Sequence, residues 1–349
     1  MKASEVNIII KKWRLFFKSK GISEENISAY LQYVEHLIKQ DMPPIFDFTH
    51  LCQLCGVDSS FLAAIINSSS SFYRSFEIPK RNGGKREITA PYPSLKYLQT
   101  WIYKNIISKQ DVHGCAHGFI PNKSTITNVQ VHQGQQCLLK FDLKDFFPSI
   151  PINWVIEMFS SFGYTPEVSF YLASICCYEG VLPQGSPASP YVSNIIAKHL
   201  DRRLYRLGKK FGFRYSRYAD DIAFSGDDIP ASFIPYVSEI ITDCGFIVNE
   251  KKIRLYKGHS RKILTGITLM DEGLRLPREY RRQLEKEFHY IQTYGIIGHM
   301  NHCHIRKHNY LESLIGKVGY WLMIEPENVL ARRMQAYLMS ESDKKNINK

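Results

Sequence analysis

The sequence predicts an α+β fold in which helices surround a small antiparallel sheet, and three segments support this prediction. Residues 213–225 are typical of two short strands, rich in aromatic and β-branched side chains, with the adjacent carboxylates Asp220 and Asp221 at the turn between them. Residues 137–147 are typical of a buried strand that ends at an acid. Residues 182–190, rich in Pro, Gly and Ser, predict a turn that opens a helix. A sheet that joins the two strand regions would bring their acidic residues together.

Two adjacent carboxylates at a turn allow two interpretations. A solvated Asp-Asp turn is common, and residues 218–221 taken alone fit that interpretation better than a functional one. The alternative is a metal site, because a divalent cation relieves the repulsion between the two anions, and hard carboxylate oxygens suit Mg²⁺. A further acid, Asp142 at the end of its own strand, moves the balance toward the metal site.

Periodicity and turn residues predict the other elements in chain order. Apolar residues at helical spacing predict two N-terminal helices within residues 1–40, and Ser23 is placed to cap the second. An Asn-Gly turn within residues 76–91 predicts a hairpin that carries several cations. The chain turns helical and basic beyond Pro277, and the charged run that begins at Asp201 is expected on a helix surface. Further helices are predicted at residues 50–66, 95–107, 191–207 and 229–244.

The order of the acidic and turn segments resembles the palm of a reverse transcriptase. The resemblance extends from about Phe76 to Gly266. It implies a right-hand polymerase with fingers, a palm built on an antiparallel sheet, a helical thumb and an N-terminal helical extension. The implied divisions are an N-terminal helical region (1–70), fingers (71–136), palm (137–265, with a fingers segment 151–181 inserted) and helical thumb and tail (266–349).

The resemblance also implies the catalytic site. Asp142, Asp220 and Asp221 are the expected catalytic acids, and Asp142, Leu143, Asp220 and Asp221 are the expected metal ligands for two Mg²⁺ ions. Asp142 and Asp220 should bridge both ions, and Asp221 should bind one or only assist.

Residues around the acids are expected to bind the incoming nucleotide. Lys80 and Arg86 of the basic hairpin match the fingers residues that grip the triphosphate. Phe147 matches the aromatic residue that lies under the sugar and excludes a 2′-hydroxyl, although core packing is an alternative role. Gln184 should face the nascent base pair, and Gly185 should let the backbone approach a ligand closely. Lys251 or Lys252 should also lie near the triphosphate, and the sequence does not decide between them.

Two segments outside the acids resemble markers of the retron branch of reverse transcriptases. Asn128 and His132 match an Asn-Ala-x-x-His element, with Val129 in place of Ala. Leu264-Thr265-Gly266 matches a Val-Thr-Gly element that grips the primer end. Both segments are therefore expected to bind RNA or primer.

The retron resemblance carries expectations about product and partners. Such an enzyme copies part of a dedicated structured RNA, from deoxynucleoside triphosphates, into a short single-stranded DNA that stays linked to the RNA, the product called msDNA. Priming uses a guanosine 2′-hydroxyl. A separate effector protein then acts with the RNA–DNA product in anti-phage defence. The rival functions are a group II intron-like bacterial reverse transcriptase and a catalytically idle RNA-binding scaffold.

Composition agrees with a nucleic-acid partner. The 349 residues carry a formal net charge of +12, which favours a polyanionic ligand. The absence of a long apolar run disfavours a membrane partner, and eight irregularly spaced cysteines favour a reduced, cytoplasmic protein. The residues from His299 to His308 could bind a transition metal, but a solvated basic segment is favoured.

Overall fold

The computed structural model describes residues 3–79, 83–258, 260–270 and 273–347, so Lys80 lies outside the described residues. The helices are α1 (Ala3–Ser19), α2 (Glu24–Lys39), α3 (Phe48–Cys55), α4 (Ser59–Asn67), α5 (Pro93–Asn105), α6 (Thr125–Gln130), α7 (Ile152–Ser161), α8 (Pro166–Cys176), α9 (Ser189–Ile196), α10 (Lys198–Lys210), α11 (Phe233–Asp243), α12 (Arg278–His302), α13 (Tyr310–Ile324) and α14 (Val329–Ile347). The strands are β1 (Tyr73–Pro79), β2 (Lys85–Pro91), β3 (Cys137–Asp142), β4 (Arg214–Tyr218), β5 (Asp221–Gly226), β6 (Arg254–Tyr256), β7 (Lys262–Leu264), β8 (Ile267–Met270) and β9 (Gly273–Arg275). The predicted α+β class is confirmed.

A four-stranded antiparallel sheet forms the centre of the fold, in the order β4-β5-β3-β6. Its hairpin of β4 and β5 and its strand β3 are the elements that the sequence predicted. The register of β3 against β5 sets Asp142 directly opposite Asp221 at one end of the sheet. Elsewhere β1 pairs with β2, and β7, β8 and β9 pair in that order.

Both faces of the central sheet are covered, because alternate side chains of each strand point to opposite sides. On one face, Phe141 and Phe224 belong to the main core, which also contains side chains of α7–α11. On the other face, Leu138 and Ala223 belong to a second core, which continues through β7 and β8 into α12, α13 and α14. Burial on both sides explains why β3 is an almost continuous apolar run.

The region predicted as one helix at residues 191–207 contains two helices in the structure. α9 ends before Ala197 and α10 begins after it. Apolar periodicity continues through both helices, so periodicity alone does not detect the break. The predicted helices at 95–107 and 229–244 correspond to α5 and α11.

The N-terminal helices α1 and α2 pack as a pair, and the predicted cap is present. The Ser23 hydroxyl accepts a hydrogen bond from the backbone N–H of Asn26 at 3.4 Å. The rings of Trp13, Phe17 and Phe46 pack against one another, with centroid separations of 5.3, 5.4 and 5.8 Å. These helices therefore have an aromatic core of their own.

The region beyond Pro277 is helical, as predicted. The long helix α12 is kinked at Gly295, where φ is 71° and ψ is 167°, a backbone conformation that favours glycine. α12, α13 and α14 contribute Leu284, Val318, Trp321 and Leu338 to the second core. The helices are thus packed onto the β7–β9 sheet through apolar side chains.

Neither a disulfide nor a single membrane-spanning helix is found within the described residues. All eight cysteines are free. Cys52 and Cys55 are buried, and burial raises the pKa of both thiols, as expected for core residues rather than metal ligands. α3 and α4 reach the length and hydropathy of a span only when they are taken together, across a bend of 111°.

Candidate active site

The three predicted acids lie together at the end of the central sheet. Asp142 ends β3, Asp221 begins β5, and the two residues pair directly across the strands. Asp220 lies in the turn with Ala219, and its carbonyl oxygen accepts a hydrogen bond from the N–H of Leu143 at 3.0 Å. Ala219 has a φ of 54°, a left-handed conformation that is unfavourable for a residue with a Cβ. Leu143 has a buried apolar side chain, so only its main-chain carbonyl can act as a metal ligand.

A lysine neutralises the first of these acids. The Nζ atom of Lys252 lies 2.8 and 2.7 Å from the two carboxylate oxygens of Asp142. The side-chain amide of Asn249 donates to the same carboxylate at 3.2 Å. Of Lys251 and Lys252, between which the sequence did not decide, Lys252 is the lysine paired with this acid.

Burial and mutual repulsion make the acid cluster unfavourable without a counter-ion. Burial raises the pKa of the Asp221 carboxyl to about 6, and the charges of Asp220 and Asp142 act in the same direction. Burial also raises the pKa of Asp220; the charge of Asp142 adds to this rise, and the charges of Lys252 and Arg86 oppose it. Neighbouring anions with hard oxygen donors fit a divalent cation. Within the described residues no three His, Cys, Asp or Glu side chains converge as metal ligands, and the Asp142 carboxylate is engaged with Lys252 instead.

A fully buried ion pair supports the strained turn. Arg217 and Asp201 have side chains with 0% exposure, and the guanidinium donates to both carboxylate oxygens at 2.7 Å. The remaining Nη1 of Arg217 donates to the carbonyl oxygen of Ala219 at 3.0 Å, and the Tyr215 hydroxyl donates to Asp201 at 2.6 Å. The pair therefore connects α10 directly to the residue that precedes Asp220.

The expectation that Asp201 lies on the surface is wrong. The helix that carries it is rich in Lys and Arg, and such a run is usually a solvated face. Here the carboxylate points into the core because a buried arginine on β4 requires an anion. Arg217, two residues before Ala219, is the residue that the sequence interpretation missed, and its place directly before the Tyr-Ala-Asp-Asp tetrapeptide was the available signal.

Aromatic rings line one side of the acids. The half-buried ring of Phe147 lies 6.1 Å from the ring of Phe119 and 5.5 Å from that of Phe146, measured between centroids. Phe119 is also 6.3 Å from the ring of Tyr218. Gly118 is required beside it, because a Cβ at that position would come within 2.8 Å of the backbone nitrogen of Ala219. Phe119 is 43% exposed beside Phe147.

Among the predicted nucleotide-binding residues, Arg86 lies on β2, and Gln184 and Gly185 lie against it. Arg86 is exposed on this strand, near enough to Asp220 to affect the pKa of its carboxyl. Gln184 is half-buried, and its carbonyl oxygen accepts a hydrogen bond from the N–H of Thr89 at 2.9 Å. Gly185 has a φ of 144°, and a Cβ there would lie 2.6 Å from the carbonyl oxygen of Thr89. The close approach that Gly185 permits is therefore made to the backbone of β2.

A buried glutamine fixes the turn that contains Gln184. The amide of Gln99 donates to the Tyr73 hydroxyl at 2.6 Å and to the carbonyl oxygen of Ile175 at 2.9 Å. Its Oε1 accepts from the Ser186 hydroxyl at 2.8 Å. This network joins β1, α5, α8 and the turn, so it connects the turn of Gln184 to the β1–β2 hairpin. Spacing along the chain gave no sign of it, since the four residues are far apart in sequence.

Asn128 and His132, predicted to bind RNA, are each only 1% exposed. The Ser216 hydroxyl donates to Oδ1 of Asn128 at 2.7 Å, so Ser216 accepts from Nε2 of His132 at 2.7 Å. The other ring nitrogen, Nδ1, then accepts from the Ser225 hydroxyl at 2.7 Å. Burial lowers the pKa of His132 to about 3, which keeps the ring neutral. The two residues attach the α6 region to β4 and β5, whereas Nδ2 of Asn128 is buried without a hydrogen-bond partner. Their contact with RNA stays a prediction.

The segment Leu264-Thr265-Gly266 forms the turn between β7 and β8. Leu264 is fully buried in the second core. Thr265 and Gly266 have φ values of 45° and 80°, and the Oγ1 of Thr265 is buried without a hydrogen-bond partner. Thr265 therefore has a left-handed backbone conformation that is unfavourable for a residue with a Cβ, together with an unsatisfied hydroxyl, and its contact with the primer stays a prediction.

The His299–His308 run does not form a metal site in the described part of the chain. His299 is buried, and its Nε2 lies 3.0 Å from the hydroxyl of Tyr310. His302 and His304 are exposed. The favoured interpretation, a solvated basic loop or helix start, holds for the exposed histidines and not for His299, which packs the end of α12 against α13.

Comparison with known proteins places the chain among polymerases. The sequence model of the family described as reverse transcriptase (RNA-dependent DNA polymerase) matches residues 78–315. The chain is 34% identical to the retron Mx162 reverse transcriptase of Myxococcus xanthus, over 63% of this chain and 53% of that protein, about half the relative's length. It is 33% identical to the retron Ec86 reverse transcriptase of Escherichia coli, over 71% of this chain and 79% of that protein. Among solved structures, telomerase from Candida albicans in complex with a fragment of telomeric RNA aligns with 76% of this chain and 62% of that one, at 10% identity and a TM-score of 0.43.

Proposed function

The chain belongs to the reverse transcriptase family, in the branch of the retron enzymes, and from this premise we propose that its three acids catalyse RNA-directed synthesis of DNA. The observation that carries the proposal is the register of the central sheet, which sets Asp142 opposite Asp221 and beside the turn of Asp220. Sequence-distant carboxylates brought together at one sheet end, with raised pKa values, are expected of a site that holds cations.

We propose that the site takes two Mg²⁺ ions as cofactors, because its buried carboxylates are hard oxygen donors. When bound, such ions supply the activation of the attacking hydroxyl and the stabilisation of the leaving pyrophosphate. Asp142, Asp220 and the carbonyl of Leu143 would hold them, with Asp221 assisting. The Arg217–Asp201 pair orients the turn that carries Asp220, so the positions of the ligands are set before substrate binds.

The fingers and aromatic residues would bind the incoming deoxynucleoside triphosphate. Arg86, and Lys80 on the same hairpin, would neutralise phosphate charge that develops in the transition state. Lys252 would move from the Asp142 carboxylate to the triphosphate when cations neutralise that acid. Gln184, held by the Gln99 network, would face the nascent base pair.

Phe147 is expected to select the sugar. Phe147→Val should increase incorporation of ribonucleotides relative to deoxynucleotides by about tenfold or more, because the ring is proposed to fill the space of a 2′-hydroxyl. The measurement is single-nucleotide incorporation of each type on an RNA template. The control is Phe211→Val, the same change at an exposed ring directly after the C-terminal end of α10. It should leave the ratio of ribonucleotide to deoxynucleotide incorporation unchanged. An unchanged ratio in Phe147→Val would assign this ring to core packing alone.

The finer proposal is that the enzyme makes msDNA from a dedicated structured RNA. Its support is the retron relatives and the net charge of +12. A folded RNA is recognised through phosphates, 2′-hydroxyls and splayed bases rather than by a long base-edge code. Such an enzyme has to present one internal 2′-hydroxyl to the acids. The eight free cysteines suit the cytoplasm, where a separate effector protein would join the RNA–DNA product in anti-phage defence.

The test is recovery of nucleic acid with the purified protein. We expect one RNA species joined covalently to a short DNA, stable to denaturation and cleaved by a 2′,5′-debranching enzyme. Asp220→Asn purified in parallel should carry the same RNA without DNA. Heterogeneous RNA without linked DNA, together with extension of an ordinary primer, would favour the group II intron-like alternative. RNA binding without any primer extension in the presence of Mg²⁺ would favour the idle scaffold.

A further inference from the structure

A basic cavity lies where the β7–β9 sheet meets the start of α12. Its volume is about 470 Å³. In the described part of the chain its lining contains no Asp or Glu, and it contains five cations: Arg261, Lys262, Arg275, Arg278 and Arg281. No ion pair involves any of these five side chains among the described residues. We call this site the basal thumb cavity.

The basal thumb cavity is separate from the acid site. Its lining includes Gln136, which precedes β3, whereas Asp142 ends the same strand. Six strand residues at about 3.3 Å each place the two sites nearly 20 Å apart. The cavity also lies at the base of the β7–β8 hairpin, away from the turn at Thr265. None of the proposed catalytic or nucleotide-binding residues lines it.

Polar groups in the lining are buried without partners. Thr268 is only 4% exposed, and its Oγ1 has no hydrogen-bond partner. Nε of Arg281 is also buried and unpaired. Lys262 is 8% exposed, and its Nζ donates to the carbonyl oxygen of Gly258 at 2.7 Å. An unsatisfied buried donor costs about 1–3 kcal/mol, so the two unpaired donors, on Thr268 and Arg281, indicate a missing acceptor in the cavity.

The arrangement of these donors suits an oxyanion. Thr268 and Arg275 pair directly across β8 and β9, so their side chains share the face that lines the cavity. α12 begins at the cavity with Arg278, and no side chain caps its N-terminus. Uncapped amides and the helix dipole favour negative charge at this end. Guanidinium groups with a hydroxyl donor match the several oxygens of a phosphate.

We propose that the basal thumb cavity binds a phosphate group, supplied by the backbone of the bound nucleic acid. The proposal rests on the proposed function only for the source of the phosphate, because an inorganic phosphate presents the same oxygens. A nucleic-acid strand held here and at the acids would be fixed at two points nearly 20 Å apart. The cavity thereby sets the register of the strand without reading its sequence.

The experiment is equilibrium binding of a labelled RNA hairpin to the full chain at several salt concentrations. Arg281→Gln, Thr268→Val and Arg275→Gln are compared with the parent. Each phosphate contact contributes about 0.7–0.9 to the slope of log affinity against log salt, and the two arginine variants should lose roughly that much. Arg281→Gln should also weaken binding about tenfold at low salt. Thr268→Val, which keeps the shape of the side chain, should weaken binding without altering the slope.

The matched control is Arg202→Gln, which removes one exposed charge from α10, outside the cavity lining. It should alter affinity and slope much less than Arg281→Gln. Slopes in Arg281→Gln and Arg275→Gln equal to that of Arg202→Gln would overturn the proposal. Arg275 is exposed, so its variant stays informative if Arg281→Gln fails to fold.

A second arm distinguishes the sources of the phosphate. Inorganic phosphate alone is titrated into the parent and into Arg281→Gln by calorimetry. If phosphate binding releases or absorbs heat with the parent and not with Arg281→Gln, the cavity also binds free phosphate. If the variant changes only the salt slope of RNA binding, the cavity binds a phosphate of the nucleic-acid backbone. Both readouts are independent of DNA synthesis. If the parent fails to extend primers but the arginine variants still change the salt slope of RNA binding, the proposed function is refuted. The proposal that the cavity binds phosphate then still stands.

Discussion

Asp220→Asn should reduce the rate of RNA-templated DNA synthesis by about a thousandfold. This is the upper end of the range for loss of one preorganised electrostatic group. The amide cannot neutralise a cation, and Asp220 is one of the two acids proposed to bridge both ions. Primer extension with saturating RNA template and Mg²⁺ gives the measurement. Folding should be unharmed, because the raised pKa of Asp220 means that its charge is unfavourable in the folded chain.

The same variant gives a readout that does not depend on catalysis. Mg²⁺ should raise the thermal midpoint of the parent by mass action and should have a much smaller effect on Asp220→Asn. Asp227→Asn is the control, since it makes the same change at an exposed position beyond the other end of β5. If Asp220→Asn synthesises DNA at nearly the parental rate, the proposal that these acids catalyse the reaction is wrong.

Arg217→Met should destabilise the fold by about 3–5 kcal/mol, because it leaves the buried Asp201 carboxylate without a counter-charge. It should also lower the rate of DNA synthesis, by up to about a hundredfold, since the Ala219 carbonyl loses its donor and the Asp220 turn shifts. Urea unfolding measures the first effect, and primer extension well below the unfolding transition measures the second.

A double variant separates stability from positioning. Arg217→Met combined with Asp201→Leu leaves no buried charge, so it should unfold less readily than Arg217→Met alone. Its synthesis rate should stay low, because the turn still lacks its donor. Arg203→Met is the control: its partner is Asp243, the two side chains are 34% and 51% exposed, and its loss should cost about 1 kcal/mol or less. Full recovery of activity in the double variant would give Arg217 a structural role only.

The acid site could be predicted from sequence because its parts are local. The turn of Asp220 follows from the alternation of β4 and β5, and the end of β3 follows from an apolar run that stops at Asp142. The right-hand fold class, inferred from the order of these segments, is confirmed by the family match. The roles of the individual site residues remain predictions.

The supporting contacts could not be predicted because they join distant residues. Nothing in the charged run around Asp201 indicates that one carboxylate faces a buried arginine. Gln99 lies in an ordinary amphipathic helix, and its partners come from three other segments. Asn128 and His132 were assigned to RNA on resemblance, and the structure adds hydrogen bonds between serines on β4 and β5 and Oδ1 of Asn128 and both ring nitrogens of His132. Satisfaction of buried polar groups depends on tertiary packing, which periodicity does not report.

The second core joins the central sheet to the helices α12, α13 and α14 through one continuous apolar cluster. Leu138 and Ala223 of the central sheet pack in the same cluster as Leu264 and Ile267, which flank the turn between β7 and β8. The division expected between residues 265 and 266 falls within that single hairpin, where a flexible linker would otherwise lie. In the proposed function, torque applied to the predicted thumb by a moving duplex would be transmitted through these packed side chains to β3, the strand that ends at Asp142. The elasticity of this connection, rather than a hinge, would then limit how far the thumb can swing during translocation.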